Sequence, residues 1–315
     1  MKAIFLLLAS IFLSSCATQR KMVFEENILT LKDSYCKAPE EYQYDVEIPS
    51  YNSDSILTKN QHLKPYFKDQ SILILNALGS IDEVEQIIHI KENKDIESRL
   101  KIVQLKNVIT FRITKALNEI DAIAAEFDCE GERVSQMASF VDNLNNRKNN
   151  KMVFYSIIAG AVASISSGLI KNDKLGTAID IGGGVIGAGL SFATFSLKGR
   201  KVEFIHNRNL LRDIWSEKQI SPNFPPFVWY MFTEKKFSND GQYSIIYNMK
   251  QRWLRYQFEN NIQEAEQSIL FDNGGMYYSD DLHNRASMLN QMQSVTRKIN
   301  QNFNYLLLDL DKLVL

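Results

Sequence analysis

The clearest hydrophobic pattern in the chain is helical and lies between residues 67 and 151. Apolar residues recur there at steps of three and four, as on one face of an α-helix; they are Ile109, Ile113, Leu117, Ile120, Ala124 and Phe127. No proline interrupts this stretch, and Gly131 is its one candidate break. Ser80-Ile-Asp-Glu83 has the form of a capping box, which predicts a helix start. We therefore expect residues 67–151 to form a helical arm.

The end of the chain shows a second helical pattern. A helix is predicted to begin at the cap residue Ser279, and Thr296 interrupts its apolar face. The apolar residues follow the rhythm of a coiled-coil seam; they are Met292, Ile299, Phe303, Leu306, Leu310 and Leu313. Residues 198–315 are therefore predicted to be a C-terminal helical region with a coiled-coil-like last helix. A shorter helix is expected over Val202–Gln219.

Large aromatic residues surround Pro225 and Pro226, which cannot continue a helix. They either form a patch that binds a partner or pack onto the helical body, and the usual burial of large aromatic side chains favours the second interpretation. These residues are Phe224, Phe227, Trp229 and Tyr230.

Between the two helical regions lies a glycine-rich apolar stretch, residues 152–197. A short polar link separates its two apolar segments, Met152–Ile170 and Leu175–Leu197, which predicts an antiparallel helical hairpin. Small residues recur in it at four-residue steps, so that they share a helical face and allow close backbone contact; they are Gly160, Ser164, Gly168, Gly183, Gly187 and Ser191. The stretch resembles the glycine-zipper hairpins of several bacterial envelope proteins.

Two interpretations of this hairpin stay open. Each segment has about 20 residues, the length of a transmembrane helix, and glycine within a helix costs about 1 kcal/mol, so that a soluble core seldom uses many. Both points favour insertion into a membrane, which is the preferred interpretation. Asp180 instead favours a hairpin buried in the helical bundle, since a charge at the centre of a membrane costs about 3 kcal/mol.

The first residues have the order of an export signal. Lys2 precedes the apolar run Ile4–Leu13, and small residues follow it, as in a signal peptide. Leu13-Ser14-Ser15-Cys16 resembles the lipobox of bacterial lipoproteins. The resemblance implies removal of residues 1–15, acyl chains such as palmitate on Cys16, and a place in the bacterial cell envelope. The alternative is an ordinary signal peptide with an incidental cysteine.

The residue after the lipobox indicates which membrane the lipid anchor enters. Ala17 stands where an aspartate would mark retention in the inner membrane, and this resembles the pattern of outer-membrane lipoproteins. Residues 16–66 hold three of the six prolines and are predicted to be a lipidated tether and an irregular lead-in.

Composition and cysteine content limit the classes of function. The chain has 45% hydrophobic and 23% charged residues, which is typical of a globular protein. A net charge of −1 provides no basic footprint for nucleic acid. Apart from Cys16, the cysteines are Cys36 and Cys129, and an exported protein permits disulfides. A Cys36–Cys129 bridge is predicted, with two separate thiols as the alternative.

The sequence contains no constellation that points to catalysis. The stretch Gly182–Gly187 matches the dinucleotide pattern G-x-G-x-x-G, but that pattern requires a preceding strand within a βαβ unit. The histidines are scattered and lack the spacing of zinc ligands; they are His62, His89, His206 and His283. We therefore expect no enzyme, no cofactor and no metal site.

The expected fold is mainly α: an elongated helical bundle or coiled-coil arms with a central apolar glycine-rich helical hairpin. The first function hypothesis is a lipid-anchored envelope protein whose hairpin inserts into or assembles within a membrane, in a structural, pore or assembly role. The second is a tethered periplasmic helical scaffold that binds another envelope protein, with the hairpin as buried core. The expected partners are membrane lipid, through acylated Cys16 and the hairpin, and either further copies of the chain or another envelope protein; no nucleic acid is expected.

Overall fold

The protein is mainly α-helical, as the sequence predicts. The computed structural model describes residues 52–169, 199, 201–205 and 208–314, with the backbone alone at 148–150, 152–169, 205 and 314. Its helices are α1 Ser53–Lys59, α2 Asp69–Ala77, α3 Ile81–Ile90, α4 Ile96–Leu169, α5 Leu210–Ser216, α6 Pro226–Thr233, α7 Ile245–Tyr256, α8 Ile262–Glu266 and α9 Ser279–Val314. Short 3₁₀ turns lie at Gln61–Leu63, Lys235–Phe237 and Ile269–Phe271.

The two long helices, α4 and α9, run antiparallel and share a buried seam. Ser279 at the start of α9 bonds to the carbonyl of Ala138, whereas Asn300 further along α9 bonds to Asp121. The predicted apolar positions of α9 are all buried. On α4 the predicted positions are buried as well, except Leu117, which is half-buried. The periodicity in these two segments therefore reflects one internal interface, and the α9 seam is not available to a partner.

Two polar or small residues are accommodated within this seam. The buried Thr296 donates its hydroxyl to the carbonyl of Met292 at 2.7 Å, so its polar group is satisfied within its own helix. Helix α4 continues through Gly131 without a break. A Cβ atom at this position would lie 2.6 Å from Oδ1 of Asn290. Gly131 thus leaves room for the side chain of Asn290 of α9 and does not interrupt the helix.

Helices α2 and α3 cover one side of the α4–α9 pair. The side chains of Ile72, Leu73, Ile74 and Leu75 are completely buried. Helix α3 begins after Ser80, but the Ser80 side chain makes no capping bond. It accepts a hydrogen bond from Arg112 of α4 at 3.2 Å, and Arg112 also pairs with Glu83 at 3.0 Å. The helix start is where the sequence predicts it, yet a tertiary contact replaces the capping box.

The aromatic residues around Pro225 and Pro226 belong to the core. Phe224, Phe227, Trp229 and Tyr230 are all buried. The Phe224 ring lies 6.1 Å from Phe127 of α4, and Phe227 lies 5.6 Å from Phe303 of α9. Pro226 occupies the first turn of α6, where the missing backbone N–H is not needed. The core interpretation of this cluster is therefore confirmed.

A two-stranded antiparallel sheet joins the chain before α5 to the chain before α9. Strand β1 is Val202–Ile205 and strand β2 is Gly274–Tyr277, with Val202 opposite Tyr277. The sequence interpretation had a helix here. Val202 and Phe204 are buried and Glu203 is exposed, which is the alternation of a strand. Among the described residues of Val202–Gln219, only α5, further along, is helical.

The prediction of a transmembrane helix is wrong for the described residues, since none of their helices combines the length and the apolar character that a membrane crossing requires. Met152–Leu169 is the last part of α4, a helix of 74 residues whose earlier part is rich in charge. Serine, glycine and tyrosine also dilute the apolar residues of this last part. The second predicted segment, Leu175–Leu197, lies outside the described residues.

We predict that Phe303→Ala lowers the free energy of unfolding by about 3–5 kcal/mol. The reason is that Phe303 is 1% exposed and its loss leaves a cavity between α4, α6 and α9. The measurement is urea denaturation followed by circular dichroism. The matched control is Leu308→Ala on the exposed side of the same helix, for which we expect a loss within about 0.5 kcal/mol. Equal losses for both variants would contradict the buried seam.

We also predict that stability falls as the pH rises from 10 to 12. Burial raises the pKa of Tyr230 and of Tyr277 to about 12, whereas the unfolded chain ionises its tyrosines near pH 10. The folded state therefore holds both phenols neutral, and the stabilisation is complete below pH 10 and lost towards pH 12. Tyr277→Phe should flatten the slope of unfolding free energy against pH. A slope that Tyr277→Phe leaves unchanged would contradict this account.

Candidate functional site

The glycine-rich stretch begins and ends at one place on the helical body. Helix α4 passes Asn145 and is described as far as Leu169. The next described residue is Gly199. A Cβ atom at Gly199 would lie 2.5 Å from Nδ2 of Asn145, and Gly199 has a φ of +56°, which favours glycine. Residues 146–198, here called the glycine-rich arm, therefore have their two ends side by side.

The first half of the arm is a direct continuation of α4. The helix runs from Asn145 to Leu169, about 36 Å at a rise of about 1.5 Å per residue. Gly160, Ser164 and Gly168 lie within it, and their four-residue spacing places them on one helical face. The other small residues predicted to pack against them, Gly183, Gly187 and Ser191, lie outside the described residues.

A polar clamp holds α9 to α4 directly before the arm. The carboxylate of Asp142 is hydrogen-bonded to the Ser279 hydroxyl and lies 2.8 Å from Nε2 of His283. Partial burial would raise the pKa of Asp142, but the hydrogen bonds from His283 and Ser279 outweigh it and hold that pKa below its ordinary value. The carboxylate thus stays charged down to acidic pH and keeps the start of α9 in place.

The clamp has the residue types of a hydrolase triad without its geometry. In such a triad the histidine lies between serine and aspartate, so that it removes the proton of the nucleophile. Here the carboxylate of Asp142 lies between Ser279 and His283. The serine hydroxyl donates to the acid and is not activated as a nucleophile, so the cluster is structural.

The buried guanidinium of Arg285 also connects α9 to neighbouring elements of the body. Arg285 of α9 is 1% exposed and donates to the Leu270 carbonyl at 3.0 Å and to Oδ1 of Asn209 at 3.2 Å. Its burial lowers its pKa, while the nearby Glu130 acts in the opposite direction. The network connects α4, α9 and the turn before β2, and it meets α4 at Glu130, about 22 Å along the helix before Asn145.

Helix α4 has a second apolar face that the described residues do not cover. Four side chains at its start, Ile96, Leu100, Val103 and Phe111, are between 53% and 85% exposed. Because each residue turns the helix by about 100°, these four lie roughly opposite the buried seam. We call them the outer stripe. The steps from Ile96 to Leu100 to Val103 are helical in the sequence too. The stripe is nevertheless hard to recognise there, because the regular seam residues dominate the pattern.

Cys129 is the one predicted cysteine among the described residues. It lies half-buried on α4 and is disulfide-bonded. Its partner lies outside the described residues, and the other cysteines of the chain are Cys16 and Cys36. The pairing with Cys36 and the lipid on Cys16 stay predictions, and they are linked because only one of these two cysteines can close the bridge.

Metal and nucleotide chemistry receive no support from the described part of the chain. It contains no group of three or more His, Cys, Asp or Glu residues that could hold a metal ion. His62 lies 2.8 Å from Glu85 on the surface, and His89 is an exposed helix residue. The stretch Gly182–Gly187 and His206 lie outside the described residues.

Comparison with known proteins gives no family for this chain. No family model, no curated protein and no solved structure matches it. Its function is therefore inferred from its own residues.

Proposed function

We propose that the chain is a lipid-anchored scaffold of the bacterial envelope, which assembles with further copies of itself through the glycine-rich arm. The observation that carries the proposal is the course of α4. One continuous helix leads from the packed body, past its polar contact with α9 at Asp142, to Leu169.

The arm has two different helical faces along α4. Gly160, Ser164 and Gly168 lie on one face, where two backbones can approach closely. Ile158, Val162, Ile165 and Leu169 follow one another at steps of four, three and four, the spacing of a coiled-coil seam, and lie on the opposite side of the helix. The small face is suited to contact within the arm, which leaves the large apolar face for another molecule.

A second copy is the occupant that this face favours. The stretch Met152–Ile170 has no charged residue, so an uncovered arm would expose a large apolar surface, which monomeric proteins seldom do. In a symmetric pair, the same apolar face of two copies packs against itself. Assembly through the arm would hold the bodies together, with Cys16 as the attachment of each copy to the membrane.

The anchor and the disulfide of Cys129 act together in this proposal. Lipid on Cys16 leaves Cys36 to close the bridge to Cys129 on α4. The bridge closes a loop of about 90 residues, which in the chain-entropy model stabilises the fold by about 4.6 kcal/mol. It also ties the tether to one point of the body, so that the body cannot drift freely from the membrane.

The anchor and the bridge are tested together on protein isolated from membranes after growth with labelled palmitate. We expect peptide mapping without reductant to give a Cys36–Cys129 peptide and an acylated Cys16. Cys16→Ser should lose the label and keep the bridge, whereas Cys36→Ser should keep the label and lose about 4.6 kcal/mol of stability. A Cys16–Cys129 peptide in the wild-type protein would refute both the anchor and the tether.

Assembly through the arm is tested by analytical ultracentrifugation of the Cys16→Ser chain. We expect an oligomer, and we expect the double variant Ile158→Asn with Ile165→Asn to be monomeric with an unchanged circular dichroism spectrum. Ile220→Asn is the control, since Ile220 is an exposed apolar residue of the body, and it should leave the oligomer intact. A monomeric parent chain would refute self-assembly and favour a scaffold that holds another envelope protein.

A further inference from the structure

The outer stripe protrudes from the body as a convex apolar ridge. Ile96 and Phe111 at its ends are 85% and 72% exposed, so these side chains stand clear of their neighbours. Leu307 of α9 lines a small cleft together with Lys106, Thr110 and Asp311, and it is itself 41% exposed. Apolar surface of this extent on a soluble body marks a contact site.

The charge of α4 reverses directly after the stripe. Between residues 96 and 115 the helix carries five basic residues, Arg99, Lys101, Lys106, Arg112 and Lys115, against the single acid Glu97. Between residues 116 and 132 it carries no basic residue and six acidic ones, Glu119, Asp121, Glu126, Asp128, Glu130 and Glu132. Asp121, Asp128 and Glu132 are exposed and lie on the same side of the helix as the stripe. On this outer side of α4, the ridge is therefore apolar and basic, whereas the part that follows it is acidic.

We infer that the outer stripe docks on the surface of an anionic lipid bilayer. A helix with a narrow apolar face and flanking Lys and Arg residues is suited to lie in the plane of the headgroups, with its apolar side chains below them. Arg99 and Lys101 are exposed and flank the stripe on opposite sides, where their long chains reach anionic headgroups. A convex ridge fits a deformable lipid surface and provides no groove for a partner helix.

The chain outside the described residues has the length that this contact requires, a point that rests on the proposed anchor and bridge. Cys129 lies about 27 Å along α4 from Phe111 and about 50 Å from Ile96. The chain between Cys36 and Cys16 spans up to about 66 Å when extended. Lipid on Cys16 can therefore enter the same membrane that the stripe contacts.

The charge reversal gives the docked helix an orientation. The membrane attracts the basic part of α4 and repels the acidic residues Asp121, Asp128 and Glu132. The start of α4 is then held against the headgroups, while the part that leads to the glycine-rich arm is tilted away from them. The arm thus remains accessible to the arms of neighbouring copies.

The test is co-sedimentation of the full mature chain carrying Cys16→Ser with vesicles of phosphatidylglycerol and phosphatidylcholine, and with vesicles of phosphatidylcholine alone. We expect binding to the anionic vesicles, and at least tenfold weaker binding to the neutral ones or in high salt. Leu100→Asp with Phe111→Asp should reduce binding to anionic vesicles at least tenfold. Ile220→Asp with Tyr256→Asp removes two equally exposed apolar residues elsewhere and should bind like the parent chain.

Each other outcome overturns the inference. Binding that survives in the Leu100→Asp, Phe111→Asp variant would assign the membrane contact to another part of the chain, and equal loss in both variants would show an effect of charge alone. No binding by the parent chain would leave the stripe to a protein partner. Because the tested chain lacks lipid, these results do not depend on acylation, and because every variant keeps the same arm, assembly contributes equally to all of them. Circular dichroism verifies that each variant is folded.

Discussion

The antiparallel contact of α4 with α9 is the interaction on which the rest of the structure depends. Each large apolar side chain buried in this seam contributes about 1.5–3 kcal/mol relative to exposure. The other elements then attach to the pair. Phe224, just before α6, packs on Phe127, and Phe227 of α6 packs on Phe303; α3 attaches through Arg112. Without the seam, these shorter helices would have no common surface to cover, since isolated helices of this length are marginal in water.

Helix α4 contributes to three different parts of the molecule along its length. Its seam side holds the fold together, its outer stripe is free for contact, and its last part becomes the first half of the glycine-rich arm. Since the helix is continuous, the orientation of the body and of the arm's first half are set by the same axis. The clamp at Asp142 lies close to the point where the arm leaves the body and fixes α9 to α4 there.

The parts predicted from sequence are those governed by long-range periodicity. The seam positions from Ile109 to Phe127 and from Met292 to Leu313 repeat often enough to identify both helices and their buried sides. Strand β1 was missed because four residues are too few for alternation to stand out from a helical pattern. The capping role of Ser80 was wrong because Arg112, distant in sequence, binds its hydroxyl. The outer stripe was overlooked because the stronger periodic pattern of the seam lies on the same helix.

Electrostatics explains why the outer stripe and the acidic part of α4 would act differently on one flat, anionic surface. At physiological ionic strength the field of such a surface decays over about 8 Å, so only side chains close to it are attracted or repelled. The apolar stripe supplies the short-range attraction that brings Arg99 and Lys101 within that distance. Asp128 lies about 25 Å beyond Phe111 along the helix, and a modest tilt removes it from the field. A uniformly basic helix would lie flat and bury the base of the arm, whereas this charge reversal leaves that base exposed to its neighbours.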